Sequence, residues 1–337
     1  MPEHQILKPR AVQPGDRVAI IAPASPFPED EFMAGVSEIR RLGFEPVIDP
    51  GVFDRRRYVA GDPAARARAL MTAWEDPAVA AVLTARGGYG SVELLPHLST
   101  AGLRRTPKLL AGYSDVTALL AFLTTRCGIA ALHGPTVAGQ LGRGPAGYDE
   151  SSFVRALTSP NPLGVMPAPA LETLTSGEAI GQLHGGNLTQ LAASMGTPYA
   201  FDPPGGCVLF LEDVNERPYR IDRLLTQLKF AGVLHRASAL VFGEMRGCDE
   251  PDGSVAVRDV AADALRDFRG PVVWGFPAGH TDGPALTLPL GVRVRVNAGH
   301  AAEVEVLESA VSTGSEPRVP FPNPESRTAD PVRQGRV

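Results

Sequence analysis

Pro107-Lys108-Leu109-Leu110-Ala111-Gly112-Tyr113-Ser114-Asp115-Val116-Thr117-Ala118-Leu119-Leu120 runs from a short apolar strand, through a tight Gly-Tyr-Ser-Asp corner, into an amphipathic helix carrying Leu119, Leu120, Phe122 and Leu123. The corner delivers a hydroxyl where a strand hands over to a helix. Backbone N–H groups at a helix start have no intrahelical acceptor and point beyond the corner, which is the geometry a serine nucleophile and its oxyanion need. The same residues also suit an N-cap, in which Ser114 or Asp115 accepts from those N–H groups. On this stretch alone both readings stand.

The chain around it repeats the pattern. Arg17-Val18-Ala19-Ile20-Ile21-Ala22-Pro23 is an apolar run without alternation, as suits a strand buried on both faces. An amphipathic helix follows, with Phe32, Val36, Ile39 and Leu42 at helical spacing and Gly43 as its stop. Phe44-Glu45-Pro46-Val47-Ile48 then returns beside the first strand, completing a right-handed crossover. Asp62 to Trp74 reads as a helix, and Ala78 to Thr84 as a third strand ending in Arg86-Gly87-Gly88-Tyr89-Gly90. Four strand-to-helix handovers in the first 130 residues predict a doubly wound, mostly parallel α/β sheet. In such folds the site lies at the carboxyl ends of the strands, where both glycine-rich corners fall.

From Ala138 to Gly177 glycine and proline dominate, which predicts an interdomain connection holding at most a short helix over Phe153 to Leu157. The second half continues with Ala179 to Leu188, a strand Cys207 to Leu211 ending on Glu212, and a helix through Ile221, Leu224, Leu225 and Leu228. Strands follow at Ala239 to Gly243 and Pro271 to Gly275. Ala285 to Leu290 with Val292 to Val296 reads as a closing hairpin. After about Leu307 the chain turns polar and proline-rich, and residues 309–337 are expected to be a disordered tail.

Composition narrows the function. The 337 residues carry a net charge of −5 with both signs interspersed and no basic stripe, which argues against a nucleic-acid partner. Three widely separated cysteines, Cys127, Cys207 and Cys248, fit neither a disulfide framework nor a zinc knuckle, and they point to a reducing, cytoplasmic home. No stretch approaches the roughly 18 apolar residues of a membrane helix, and Met1-Pro2-Glu3-His4-Gln5 does not open an export signal. The seven histidines include no pair at i, i+4 and no HExxH, so neither a metal site nor a cofactor is expected. Gly87-Gly88-Tyr89-Gly90 lacks the Gly-Lys-Ser/Thr ending of a P-loop, but its amides could serve an oxyanion.

A serine hydrolase needs a base and an acid to orient it. His280, His184 and His133 each sit beside a glycine turn, and spacing does not choose among them. Glu212, immediately after an apolar strand, is the candidate acid, although it also suits a surface position before the following helix.

Four separated segments, Arg86-Gly87-Gly88-Tyr89-Gly90, Gly112-Tyr113-Ser114-Asp115, Leu211-Glu212-Asp213-Val214 and Pro277-Ala278-Gly279-His280, together resemble the signatures of the LD-carboxypeptidases, serine peptidases that also include microcin self-immunity hydrolases. The likeness spans about Val12 to Leu307. It implies Ser114 as nucleophile, His280 as general base and Glu212 as its orienting carboxylate, with an oxyanion hole from the N–H groups of Gly88 and Asp115. The architecture it implies is an N-terminal nucleophile domain, residues 1–145, a connection, 146–177, and a smaller β-rich α/β domain, 178–308, supplying Glu and His. A homodimer is often found in the family. The implied substrate is a small peptide, the murein tetrapeptide, cleaved at an L-D amide bond. The alternatives are a peptidyl-nucleotide conjugate of microcin type and, in another class, a non-catalytic anion-binding protein. Trp74 and Trp274 fall in core elements, and the connection offers only Tyr148 and Phe153 as aromatics, which favours the murein peptide over the conjugate.

Overall fold

The structure is a computed structural model and describes residues 5–314. Two sheets carry the fold. The first contains β1 (Arg17–Ile21), β2 (Glu45–Ile48), β3 (Val79–Thr84), β4 (Leu109–Gly112) and β5 (Ala131–His133), all mutually parallel in the order β5-β4-β3-β1-β2. All six residues of β3 are buried, as expected for a central strand covered by helices on both faces. Helix Glu29–Arg41 opens with Glu29, Asp30 and Glu31 and closes with Arg40 and Arg41, matching the sign of its dipole at each end. Helix Pro63–Glu75 begins with Pro at its first position and is capped by Asp62, whose carboxylate accepts from Ala64 N–H at 3.0 Å.

The second sheet is built from β6 (Gly164–Val165), β7 (Glu172–Thr175), β8 (Gly177–Asn187), β9 (Cys207–Glu212), β10 (Ala237–Gly243) and β11 (Val272–Phe276). After β12 (Leu288–Leu290) come β13 (Arg293–Ala298) and β14 (Ala302–Val306), which complete it as eight strands in the order β6-β14-β13-β8-β9-β10-β11-β7. Its centre, β8 to β11, is parallel, and its flanks are antiparallel. The chain is thus a two-sheet α/β protein of mostly parallel strands.

Three expectations change. The closing hairpin does not form: β12 crosses to the first sheet and pairs antiparallel with β5, Leu288 opposite His133, while β13 pairs with β8 and with β14. Alternating burial along β13 is real, but its hairpin partner is β14. Pro289 explains part of this, because a strand lacking an N–H is tolerated at a sheet edge, and β12 is the edge of the first sheet. The Ala138 to Gly177 stretch is not merely a connection, since it holds helix Glu150–Thr158 and supplies β6 and β7 to the second sheet. Residues 309–314 of the expected tail are among those described, and they pack on the body of the protein. Residues 309–311 are buried, and the Ser312 backbone exchanges hydrogen bonds with Pro9 and Ala11 at 2.8 and 2.9 Å. The remainder of the expected tail lies outside the described residues.

One large apolar cluster spans both sheets, joining Val82, Leu110 and Leu132 to Val208, Phe210, Phe276 and Leu288. Because β12 is both a strand of the first sheet and part of this shared core, Leu288→Ala should lower the unfolding free energy by about 2–5 kcal/mol. The matching change at the surface, Phe230→Ala on a side chain 84% exposed, should stay within about 0.5 kcal/mol. Urea unfolding of the two variants checks both values.

Candidate active site

Ser114 is not an N-cap. It is the first residue of the helical turn after β4, its side chain caps nothing, and it adopts φ +63°, a left-handed conformation that a residue with a Cβ takes only under constraint. The carboxylate of Asp115 does not cap its own helix either. It reaches back to the glycine corner, accepting from Gly90 N–H at 3.2 Å and Ser91 N–H at 2.8 Å, while Ser91 Oγ–H donates to the Asp115 carbonyl. The two strand-end corners are therefore clasped together by one buried carboxylate. Gly87 lies so close to the serine that a Cβ placed there would meet Ser114 Cβ at 2.9 Å.

Ser25, just past the end of β1, braces the same corner. Its Oγ accepts from Tyr89 N–H at 3.1 Å and donates to the Tyr58 carbonyl at 2.9 Å. Gly88, at φ +104°, packs onto it, and among the described residues its own N–H has no acceptor.

Glu212 and His280 meet. Glu212, the last residue of β9, is 1% exposed, and its Oε2 accepts from His280 twice, from Nδ1–H at 2.7 Å and from the backbone N–H at 3.1 Å. The loop from β11 to His280 can turn this tightly because Gly279 takes φ +77°; a Cβ there would strike the Glu212 carboxyl at 2.8 Å. With Nδ1 engaged, Nε2 is the nitrogen left to act as base. Burial opposes the imidazolium, yet the hydrogen bond to Glu212 and its charge outweigh it, and His280 holds its proton more tightly than an ordinary histidine. Burial likewise disfavours ionised Glu212, but the His280 bond and charge prevail and keep the carboxyl below its ordinary range.

The two halves of the site lie together. The ring of Tyr113, the neighbour of Ser114, sits 5.0 Å from the His280 ring. Thr117 Oγ1, one turn into the serine's helix, accepts from Asn187 N–H at 3.0 Å, and Asn187 pairs with Glu212 across β8 and β9. Gln140 Nε2–H donates to the Gly279 carbonyl at 3.3 Å. Of the other two histidines, His184 lies within β8, short of its end, whereas His133 ends β5 beside the Glu212–His280 pair.

Sequence reasoning missed Ser25, Thr117, Gln140 and the carboxylate of Asp115. Only Ser25, a polar residue just beyond a strand end, left a signal there. Among the described residues no three His, Cys, Asp or Glu side chains are grouped to hold a metal ion, and no helix is long and apolar enough to cross a membrane.

A serine held at positive φ between a strand and a helix, on a two-sheet α/β scaffold, fits the class of serine-type hydrolases. Comparison with known proteins narrows the class. Residues 18–134 match the LD-carboxypeptidase N-terminal domain and residues 180–296 the LD-carboxypeptidase C-terminal domain. A Streptomyces coelicolor carboxypeptidase homologue is 40% identical over 305 residues, covering 87% of this chain and 94% of its own. The murein tetrapeptide carboxypeptidase of Pseudomonas aeruginosa is 33% identical, covering 80% and 89%. Among solved structures, muramoyltetrapeptide carboxypeptidase from Oxalobacter formigenes superposes with a TM-score of 0.77 at 30% identity, covering 87% of this chain and 99% of its own. The chain belongs to the LD-carboxypeptidase family.

The Asp115 clasp can be broken with little change of shape. Asp115→Asn turns one carboxylate oxygen into an NH₂ group that must face a backbone N–H, so the variant should lose roughly 1–3 kcal/mol of stability. Faster amide exchange at Gly90 and Ser91, measured by NMR, should accompany the loss.

Proposed function

We propose that the protein is a serine LD-carboxypeptidase that removes the terminal D-alanine from murein tetrapeptide during cell-wall recycling in the cytoplasm. Ser114 Oγ attacks the carbonyl of the L-D amide, and His280 Nε2 takes its proton. The oxyanion is received by the N–H groups of Gly88 and Asp115. His280 then passes the proton to the departing D-alanine nitrogen as the C–N bond breaks, leaving an acyl-serine. Water, deprotonated by the same imidazole, attacks that ester and restores the Ser114 hydroxyl. Glu212 stays ionised throughout and stabilises the imidazolium. In this reading residues 1–145 carry the nucleophile, residues 178–308 bring the acid and base, and the enzyme works as a homodimer.

The observation that supports this most is the hydrogen-bonded Glu212–His280 pair beside a serine held at positive φ. The family's named relatives support the substrate. A peptidyl-nucleotide conjugate remains the second reading, because the microcin C7 self-immunity protein is also similar, at 28% identity over 87% of this chain. Against it, Tyr148 and Phe153 are both buried and packed on each other at 5.7 Å, which removes the connection's aromatics as a platform for a nucleobase.

Mass spectrometry of murein tetrapeptide after incubation should show loss of one alanine, and Ser114→Ala should slow that release at least about a thousandfold. Parallel incubation with an aminoacyl sulfamoyl nucleoside should give the slower turnover of the two. A pH series adds an independent check. His280 must be neutral to accept the proton and its proton affinity is raised, so kcat/KM should fall as pH drops through a limb above the ordinary value of about 6.5. Glu212→Gln removes the cause of that rise and should move the limb to lower pH while reducing kcat.

A further inference from the structure

A carboxypeptidase cuts the last amide of its substrate, so a free carboxylate lies just beyond the scissile bond, separated from the reacting carbonyl carbon only by the C–N, N–Cα and Cα–C bonds. The cation that recognises it must therefore belong to the rim of the Ser114 corner. Few cations near that corner are open to a ligand. Arg66 is buried and paired with Glu93. Arg246 pairs with Asp282 at 3.3 Å. Lys108 stands at the far end of β4, where its Nζ–H groups donate to the carbonyls of Asp76 and Val79. Arg86 and Arg143 are both exposed, and neither has a carboxylate partner among the described residues.

Arg86 is built into the corner itself. It stands between the end of β3 and Gly87, on which a Cβ would lie 2.9 Å from Ser114 Cβ and 3.2 Å from Ser114 Oγ. Its guanidinium is anchored, with Nη1–H donating to the Pro26 carbonyl at 3.2 Å. Pro26 follows Ser25, whose Oγ accepts from Tyr89 N–H at 3.1 Å and would collide with a Cβ on Gly88. The guanidinium and Gly88 thus flank one dipeptide, Ser25-Pro26. The charge of Arg86 also bears on the neighbour of the serine: burial and Glu212 push the Tyr113 hydroxyl pKa up, and the charges of Arg143 and Arg86 oppose them. The Tyr113 ring is 5.0 Å from the His280 ring. Among the described residues the bond to Pro26 is the only one the Arg86 side chain makes, and a guanidinium carries five N–H groups in a planar fork that matches a carboxylate.

We propose that Arg86 is the specificity-determining residue that receives the terminal carboxylate of the substrate, on a guanidinium fixed beside the glycine corner by its bond to Pro26. The inference rests on Ser114 being the nucleophile, and it deepens that reading by assigning the group that restricts cleavage to the last amide of the chain. Anchoring favours Arg86 over Arg143. A side chain already held by one bond loses less freedom on taking up a carboxylate, whereas Arg143 has no side-chain anchor among the described residues. A peptide that continues beyond the scissile residue, or that ends in an amide, brings no charge to the guanidinium and forfeits a charge-assisted, two-pronged bond.

The test measures kcat/KM by mass spectrometry on two peptides, murein tetrapeptide and the same peptide ending in D-alaninamide. The unsubstituted protein should prefer the free acid by roughly ten- to a hundredfold. Arg86→Gln should lose about that factor on the acid, slow the amide far less, and so bring the ratio of the two close to one. Arg86→Lys, which keeps the charge without the fork, should give an intermediate ratio. The ratio is the deciding readout, because a merely structural role for the Pro26 bond would slow both peptides alike and leave it unmoved. The proposal is overturned if the unsubstituted protein shows no preference, if Arg86→Gln retains it, or if Arg143→Gln abolishes it while Arg86→Gln does not. Failure of the unsubstituted protein to release the terminal residue from either peptide sinks the underlying reading of the site, whereas release from the tetrapeptide with a ratio indifferent to Arg86 sinks only this inference.

Discussion

The left-handed backbone of Ser114 is the constraint on which the rest of the site depends. A residue with a Cβ at φ +63° costs of order 1–3 kcal/mol, and it persists only where the surroundings over-determine it. Here they do. The Asp115 carboxylate ties the corner to two amides of the glycine loop, and Val116 N–H bonds back to the Tyr113 carbonyl at 3.3 Å. Gly87 fills the space against the serine Cβ, where any larger residue would force the hydroxyl aside. The strain holds Ser114 out of a helical conformation, with its hydroxyl against Gly87 of the neighbouring corner. Relaxing the corner to an ordinary helix start would recover the local energy and withdraw the hydroxyl into a cap.

A second constraint mirrors it on the other sheet. Glu212 is buried where an unpaired carboxylate would be costly, and the bond and charge of His280 offset that cost. Glycines on both sides open the slot. Gly243 of β10 lies against the Glu212 Cβ, and Gly279 lies against its carboxyl, each too close for a side chain. The strand order supplies the rest, because β9, β10 and β11 run parallel and end at one edge, so the loop after β11 returns directly over the end of β9. Parallel topology and two glycines thus position a hydrogen-bonded carboxylate–imidazole pair from residues 68 positions apart in the chain.

Much of this was legible in the sequence, and the boundary of legibility has a physical cause. Runs such as Val79 to Thr84 and Cys207 to Glu212 announce central strands because burial on both faces leaves no alternation to misread. The Gly-Tyr-Ser-Asp corner is visible because a strand-to-helix handover is local. The route of β12 was not. Leu288, Pro289 and Leu290 look like half of a hairpin with β13, and only the open edge beside β5 decides otherwise. The distant polar ties were hidden for the same reason: Thr117 to Asn187 and Gln140 to Gly279 join residues whose own neighbourhoods say nothing of their partners. His133, His184 and His280 were equivalent by spacing, and geometry separates them, with one bonded to Glu212, one behind it and one within a strand.

A site divided between two sheets works only if the sheets hold a fixed relation, since a shift of about 1 Å between reacting groups is enough to cost much of the rate. Three kinds of tie act here at different depths. At the base the apolar cluster is continuous from Leu110 to Phe210, which resists separation but not sliding, because apolar contact is not directional. The β5–β12 pairing supplies direction, fixing register by backbone hydrogen bonds between a strand of the first half and one from the end of the chain. The Thr117–Asn187 and Gln140–Gly279 bonds then act within one turn of Ser114 and one residue of His280. Each tie corrects what the previous one leaves free. Their order, from core to seam to site, lets side chains on separate sheets meet without a shared element of secondary structure.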